Sequence, residues 1–515
     1  MRVSTSASTL EPRCFTFWRP GLQKFLTTLV VCISTASFAF AQTTPPPQNP
    51  PDKHPVNFNL YYRGRVDAWQ WFAAPPYTET YGYYESQLRI GLSQVLPHWD
   101  WQLELEQPAV LDAPDDAVSP VSAQGQLGLG GTYYASNGNN SYPAAAFFKQ
   151  GFVRYHFSSE EGDKNLRIGR FEFFEGLETK PKNPTVAWLQ ANRVSQRLIS
   201  NFGFTTAQRS FDGVDGHYGE GSWDITAFAA RSDQGVFNMN GNPELNVDVQ
   251  YLAFTKHALN EHVLWRTFAI GYHDGRTGLT KTDNRPLPVR QADHQNIRIG
   301  TYGGDIIAVA PAGRTQLDFM AWGAYQNGSW GPQSHSAGAG AVEAGLQMAR
   351  NPASPWLRGG WFESSGDKNP NDDRHTTFFQ VLPTPRAYAR FPFFNLMNNS
   401  DEFVSLMDKP VPKLALRSDL HWLQLTSGKD LWYQGGGAFD NKVFGYVGRP
   451  ANGHTSFATL ADISADWNAT KSLSVGFYYG YAWGKSVIRA IYPTDPNGQF
   501  GYAELNWHWG APLSK

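Results

Sequence analysis

Apolar and polar residues alternate at every second position along many segments of the chain. In "LYYRGRVDAW", Leu60, Tyr62, Val66 and Ala68 fall on one face of an extended strand, and mostly polar residues fall on the other. The segments "WQLELEQ", "GFVRYHF", "WDITAFAAR" and "LSVGFYYGY" repeat this pattern. Because successive side chains of a strand point to opposite sides, such alternation predicts strands with two unlike faces.

The alternation predicts eighteen strands along the chain. They cover residues 58–71, 84–95, 99–107, 147–157, 166–172, 208–218, 223–231, 247–256, 262–272, 294–303, 314–325, 335–348, 356–364, 413–425, 430–439, 457–468, 472–483 and 499–509. The gaps after even-numbered strands are short, and most gaps after odd-numbered strands are long, notably 108–146, 173–207, 273–293 and 365–412. Short turns at one end and long loops at the other are typical of a transmembrane β-barrel.

The last predicted strand, "QFGYAELNWHW", indicates how the sheet closes. Gly501, Ala503, Leu505, Trp507 and Trp509 share one face of it. We expect this strand to pair with the first one, with its apolar face towards lipid and both tryptophans in the aromatic belt at the inner interface. Closure is needed because an open edge in hydrocarbon leaves backbone groups unpaired, at a cost of several kcal/mol each.

The predicted fold class is therefore all-β: a closed antiparallel transmembrane β-barrel of about 18 strands, with long extracellular loops and short periplasmic turns. The alternative is a soluble β-sandwich or propeller. That alternative explains neither the difference between the two sets of loops nor the many aromatic residues on the outer face.

The start of the chain predicts secretion. Residues 1–41 match a signal peptide, since basic residues precede an apolar run at 25–40 and a small-x-small site lies at 39–41. The Pro-rich segment 42–56 is predicted to be a disordered tether. Residues 57–515 are assigned to the barrel.

Composition after the leader excludes several classes of function. Both cysteines, Cys14 and Cys32, lie within the leader, so the mature chain has none for disulfides, thiol catalysis or metal binding. Without Glu11 and the four basic residues of the leader, the chain's 45 acidic and 43 basic residues become 44 and 39. A mildly acidic balance argues against a nucleic-acid partner. No apolar run after the leader is long enough for a membrane-spanning helix.

Arginines occupy the polar phase of the predicted strands. Arginine keeps its charge and binds carboxylates with a planar two-pronged fork, so a row of arginines in a lumen suits a polyanion that carries regularly spaced carboxylates. The alternative is a network of mutually satisfied Arg–carboxylate pairs that only fills the barrel. The residues predicted from strand phase to line the pore are Arg63, Arg65, Arg89, Arg154, Arg167, Arg298, Arg358 and Arg417, with Asp67 and Glu104 balancing their charge.

Several longer motifs resemble the alginate export family of outer-membrane proteins. They are "LRIGRFEFFEG", "WLQANRVSQRLISNFGF" and "QRSFDGV" within 166–214, followed by "TFFQVLPTPRAYARFPFFNLMNNSDEF", "LRSDLHWLQL" and "DLWYQGGGAFD". The resemblance runs from about Arg63 to Trp509. It implies an eighteen-stranded barrel in the bacterial outer membrane, with a positively charged pore that passes an anionic uronic-acid polymer outward. It also adds Arg167, Arg170, Arg193, Arg197 and Arg209 as matches to the family's arginines.

Two loop segments are candidate gates. Residues 365–412 and 185–202 are long and apolar enough to fold into the pore mouth, although ordinary loop packing explains them equally well. In the first, Asp367, Asp372 and Asp373 offer oxygen ligands for a structural Ca²⁺, but their spacing misses the EF-hand pattern and acidic surface turns are common. No other cofactor is expected.

No catalytic motif was found: the chain has no G-x-S-x-G, no HExxH and no Walker loop. The sequence therefore predicts an outer-membrane channel, without an activity of its own, for an anionic polysaccharide or oligosaccharide. Its expected partners are outer-membrane lipid, that polysaccharide and periplasmic export components. The alternatives are a porin for small organic anions or sugars, an outer-membrane enzyme that modifies lipid or glycan, and a structural or adhesive barrel.

Overall fold

The computed structural model describes residues 54–119, 126–158, 164–348, 350–384 and 388–512. The predicted signal peptide and residues 42–53 of the Pro-rich segment lie outside these ranges. At the start of the described part, the backbone carbonyl of His54 accepts a hydrogen bond from Gln94 at 2.8 Å.

Twenty-one strands are present in the described part of the chain. Eighteen form the barrel wall: β1 Asn57–Gln70, β2 Thr80–Val95, β3 Trp99–Leu111, β4 Phe147–Ser158, β5 Lys164–Phe171, β6 Phe211–Glu220, β7 Trp223–Asp233, β8 Glu244–Ala258, β9 Val263–Asp274, β10 Ile297–Ala312, β11 Thr315–Trp330, β12 Gln333–Gln347, β13 Trp356–Ser364, β15 Ser400–Val411, β16 Leu414–Gln424, β19 Ser456–Asn468, β20 Leu473–Gly484 and β21 Asn497–Pro512. The other three, β14 Arg374–His375, β17 Leu431–Gly435 and β18 Tyr446–Pro450, belong to loops.

The loops also carry short helices: α1 Leu129–Ser136, α2 Pro184–Leu189, α3 Leu287–Gln291 and α4 Ser486–Ile491, and a π-helical turn at Gln190–Val194. None of the helices in the described ranges is long and apolar enough to cross a membrane.

The sheet closes between its first and last strands, as the sequence predicts. β1 and β21 pair antiparallel in an unbroken register that sets Arg65 opposite Glu504 and Leu60 opposite Trp509. Trp509 is 47% exposed and points outward, as does Trp507. β21 continues past Trp509 to Pro512, which pairs with Asn57. The closed antiparallel barrel of eighteen strands is thus confirmed.

The strand count is right, but one wall strand differs from the prediction. Residues 400–411, predicted to be part of a loop, form the wall strand β15. The prediction missed this strand because Asp401 and Glu402, which lie on its two faces, hide the alternation. The predicted wall strand 430–439 contributes instead to the hairpin β17–β18 within the loop 425–455.

The two ends of the barrel are unlike, and several long loops turn inward. Turns such as 221–222, 313–314 and 412–413 are short, and the loops at the opposite end include 112–146, 172–210, 365–399 and 425–455. These loops bury aromatic side chains against the inner wall in two large clusters. One of these loops, residues 172–210, contacts both β1 and β11 on opposite sides of the wall, and we call it the crossing segment.

Candidate functional site

Within the crossing segment, a short helix precedes the arginines that contact the wall. Asn183 caps α2, since its side chain accepts hydrogen bonds from the backbone amides of Thr185 and Val186 at 3.0 and 3.3 Å. Pro184 takes the first helical position, where its missing N–H costs nothing. The π-helical turn that follows directs Arg193 to the inner face of β12.

Arg193 and Glu343 of β12 form a buried two-point ion pair. Arg193 Nε lies 2.8 Å from one carboxylate oxygen, and Nη2 lies 2.9 Å from the other. Arg358 of β13 donates to the same carboxylate at 2.9 Å, and Arg197 approaches it at 3.7 Å. Arg193 also packs against the rings of Tyr388 and Phe403, each centred 4.6 Å from the guanidinium carbon.

The far end of the crossing segment is held by β1 and β2. Arg63 of β1 donates to the backbone carbonyls of Gly203 and Thr205 at 2.8 and 2.6 Å. The hydroxyl of Thr206 donates to Glu85 of β2 at 2.7 Å. Since Thr185 meets Gln316 of β11 at 2.6 Å, the crossing segment bridges opposite sides of the eighteen-stranded wall.

Arg209 joins the inward loops to one another. Its guanidinium is fully buried and donates to the carbonyls of Ser200, Leu382, Gly436 and Ala438 at 2.9–3.2 Å. These carbonyls come from three separate loops. Burial lowers the pKa of Arg209 to about 10, which leaves it charged at neutral pH. We infer that Arg209 holds the inward loops together.

Arg89 of β2 ties the start of the crossing segment to the wall. It lies 3.0 Å from Glu172 and 2.8 Å from Glu106. Burial alone would raise the pKa of Glu172, but the charges of Arg89 and Lys149 outweigh burial and lower it to about 2. Glu172 therefore stays ionised across the physiological pH range.

A small cavity of about 160 Å³ lies inside the wall beside Arg417 and Asp419, which follow the short turn 412–413 in β16. The crossing segment, the loop around Tyr388 and the strands β16, β19 and β20 line it. Arg390 and Arg417 face this cavity with side chains that are 34% and 23% exposed. They are more exposed than the arginines that hold the crossing segment, so a solute in this cavity would meet their positive charges.

A comparison with protein families identifies the chain. The model of the family described as alginate export matches residues 142–490. The chain belongs to the alginate export family of outer-membrane channels. It resides in the bacterial outer membrane. No curated protein matches it.

Solved structures share the fold of this alginate export family barrel at low sequence identity. OccAB2 of Acinetobacter baumannii has a TM-score of 0.55 at 9% identity, and the match covers 88% of this chain and 98% of that one. OccAB1 of the same organism has a TM-score of 0.54 at 9% identity, with 88% and 96% covered. OpdK of Pseudomonas aeruginosa, solved with vanillate, has a TM-score of 0.53 at 8% identity, with 88% and 99% covered.

Most of the predicted pore residues do point inward or lie on inward loops. The inner face of the wall carries Arg63, Arg65, Asp67, Arg89, Glu104, Arg154, Arg167, Arg358 and Arg417, and the crossing segment carries Arg193, Arg197 and Arg209. Nearly all of them lie beside a carboxylate. Arg167, for example, forms a two-point pair with Asp215 at 2.9 and 2.5 Å.

Two predicted pore residues lie on the outer phase of the wall, and their prediction as inner-face residues is wrong. Arg298 is exposed between the buried Ile297 and Ile299, because this part of the inner wall is apolar where loops pack on it. Arg170 is three residues from the inward Arg167, which places it on the opposite face of β5. It pairs there with Asp212 at 2.5 Å.

Two arginines on the inner side of the barrel, Arg266 and Arg390, were not predicted from the sequence. Arg266 of β9 lies 2.7 Å from Glu175 and 2.8 Å from Asp305. Its neighbours on the same face of the strand, Leu264 and Phe268, are apolar, so the alternation assigned that face to lipid. Arg390 lies in a loop, where alternation says nothing. Its place within the motif "TPRAYARF" was the only available signal.

The three aspartates of the predicted Ca²⁺ candidate are not brought together as a ligand cluster in the described residues. Asp367 is buried and accepts from the backbone amide of Asn369 at 2.9 Å, whereas Asp372 and Asp373 are exposed on the following turn. Within the described ranges, the group of three ligand-type side chains that converges is Asp419, His421 and Asp462.

Proposed function

We propose that this barrel passes an anionic polysaccharide of the uronic-acid type across the outer membrane, with the crossing segment as its gate. The observation that carries the proposal is the two-point pairing of Arg193 with Glu343. The geometry that binds the Glu343 carboxylate also suits a uronate carboxylate. Membership in the alginate export family supports the same class of cargo.

In this mechanism the cargo replaces internal carboxylates one at a time. A uronate group meets Arg390 and Arg417 first, because they face the cavity near the short turn 412–413. Further uronates then compete with Glu343 for Arg193 and Arg358, which releases the crossing segment from β12. Each contact must be weak and replaceable, so that the polymer binds at many sites and still moves.

The direction of transport and the partners belong to the same proposal. A polymer that enters at the short-turn end comes from the periplasm. We therefore include periplasmic export components among the partners, together with the outer-membrane lipid that surrounds the apolar outer face.

A porin for small organic acids is the second candidate. The cavity of about 160 Å³ has room for a single small acid rather than for a polymer. The shared fold with OpdK, which was solved with vanillate, is compatible with such a substrate.

Single-channel recording in planar bilayers tests both candidates. If the proposal holds, an oligouronate of about ten residues blocks the current at concentrations where the monomeric uronate, vanillate and a neutral glucan of equal length do not. Block by the monomeric acids alone favours the small-acid porin. Hydrolysis of lipid or glycan by the purified protein would favour an enzyme.

A further inference from the structure

Asp419, His421 and Asp462 come together on the inner wall beside the cavity. Asp419 and His421 are two residues apart in β16, so their side chains share the inner face. Asp462 extends from the same face of the neighbouring β19. One possible ligand atom from each of the three side chains lies within 4.8 Å of the other two, and all three side chains are buried.

The two aspartates bring two carboxylates together in a buried part of the wall. Asp419 and Asp462 are direct cross-strand partners, at 4% and 7% exposure. Like charges directly opposite each other destabilise a sheet, and the cost rises when water is excluded. Arg417 Nε lies 2.6 Å from Asp419, and the hydroxyl of Tyr478 donates to Asp462 at 2.9 Å. The other oxygen of Asp419, Oδ1, is buried without a hydrogen-bond partner.

His421 is oriented in the way a metal-binding histidine usually is. Its Nδ1 lies 3.0 Å from both carboxylate oxygens of Asp401 in β15, which places the proton on Nδ1. Its Nε2 is then an acceptor, and it is buried without a hydrogen-bond partner. A carboxylate behind the imidazole is the arrangement that fixes the ring and raises its basicity in metal sites.

The local charges also fit a dication. Asp401, Asp419 and Asp462 supply three negative charges, and Arg417 supplies one positive charge beside them. The guanidinium of Arg193 is already engaged by Glu343, and that of Arg390 pairs with Asp466 at 3.0 Å. Whichever form the imidazole takes, carboxylates outnumber cations in this buried place, where unpaired charge is costly.

We propose that Asp419, His421 and Asp462 bind a divalent transition-metal ion such as Zn²⁺ or Mn²⁺. One imidazole nitrogen and two carboxylate oxygens are a ligand set that such ions accept. Asp419 and Asp462 also line the cavity, so the remaining coordination positions open onto it and take water or an anionic group. The ion would join β16 to β19 and add positive charge next to Arg417. This site goes beyond the proposed function and does not depend on the cargo.

Metal binding to the purified full-length protein in detergent, after removal of metals with a chelator, tests the proposal. We expect Zn²⁺ to bind with a stoichiometry of one in titration calorimetry, and Co²⁺ in the same site to give a visible absorption band. His421→Gln is expected to abolish both signals. Asp401→Asn, which removes only the carboxylate behind the imidazole, is expected to weaken binding about 10–100-fold.

His508→Gln is the matched control, because His508 is an exposed histidine of β21 outside this cluster. Heat-modifiable migration on a gel confirms that each variant is folded. The proposal is overturned if the unmodified protein does not bind the metal stoichiometrically. It is also overturned if folded His421→Gln still binds the metal, or if folded Asp401→Asn binds it as tightly as the unmodified protein. If His421→Gln does not fold, Asp401→Asn decides by itself.

Discussion

Arg193 in the crossing segment and Glu343 in β12 meet 150 residues apart in sequence, and both are buried. Glu343 is also the shared acceptor for Arg358 and lies 3.7 Å from Arg197. One carboxylate thus lies beside three guanidinium groups and holds the crossing segment to β12.

Removing the Glu343 charge should loosen the crossing segment. In Glu343→Gln, three buried arginines lose their shared counter-charge, which we expect to cost about 3–5 kcal/mol of stability. We also expect more frequent opening in bilayer recordings, because the crossing segment is no longer held to β12. Unfolding in detergent and single-channel conductance measure the two effects.

Asp248→Asn is the control for that prediction. Asp248 pairs with Arg231 at 2.9 Å, but both side chains are about a third exposed or more. Its loss should cost at most about 1 kcal/mol and leave the channel activity unchanged. Equal effects of the two substitutions would contradict the role given to Glu343.

Arg417→Gln should reduce the preference of the channel for anions. Arg417 faces the cavity, and one charge at about 4 Å changes an ion's energy by about 1–4 kcal/mol, depending on the local dielectric. We expect the anion-to-cation permeability ratio to fall several-fold, as read from the reversal potential in a salt gradient.

Arg298→Gln removes the same charge from the outer face and should leave the reversal potential where it was. A shift of similar size in this variant would mean that the selectivity comes from the overall charge of the protein rather than from the lumen.

Glu172 should stabilise the protein in a pH-dependent way. Arg89 and Lys149 lower the pKa of Glu172 from 4.5 to about 2, so folding favours the ionised form. The contribution, about 3 kcal/mol, is fully present above pH 5 and is lost as pH falls from 4.5 towards 2.

The difference in unfolding free energy between the unmodified protein and Glu172→Gln should therefore be largest at pH 7 and shrink by pH 3. Glu220→Gln serves as control, because Glu220 is half exposed in its pair with Lys164. A difference for Glu172→Gln that stays constant between pH 7 and pH 3 would disprove the assignment.

Ile463→Arg tests which face of β19 meets lipid. Ile463 is 53% exposed and follows the inward Asp462. An arginine on the lipid face near the middle of a barrel strand costs about 2–4 kcal/mol, so we expect a loss of that size when folding into lipid vesicles is titrated.

The same change at Leu259, which is 75% exposed in the turn after β8, should cost almost nothing. A neutral outcome at Ile463 would place that residue away from the hydrocarbon.

The sequence predicts the wall well because each wall strand is a local pattern. Alternation located seventeen of the eighteen wall strands, and it failed at β15, where Asp401 and Glu402 put charge on both faces. It also failed for the face of Arg298, since Ile297 and Ile299 point inward to meet loops rather than outward to meet lipid. The rule that apolar residues face lipid holds only where water, and not a packed loop, contacts the inner face of the strand.

The interior could not be predicted in the same way, because it depends on contacts between distant segments. Arg209 meets the carbonyl of Ala438, which lies 229 residues further along the chain, and no periodicity reports such a contact. The cross-strand pairing of Asp419 with Asp462 likewise needs the register of β16 and β19. The resemblance singled out Arg167, Arg193 and Arg197, but it gave no sign that each of them lies beside a carboxylate.

The crossing segment is anchored on two opposite walls, by Glu343 on one side and by Arg63 and Glu85 on the other. If the crossing segment is the proposed gate, a spontaneous opening requires release from both walls at once, which is rarer than release from either one. Such a gate would keep an idle copy closed, and a cell could then carry many copies without making its envelope permeable to detergents or antibiotics.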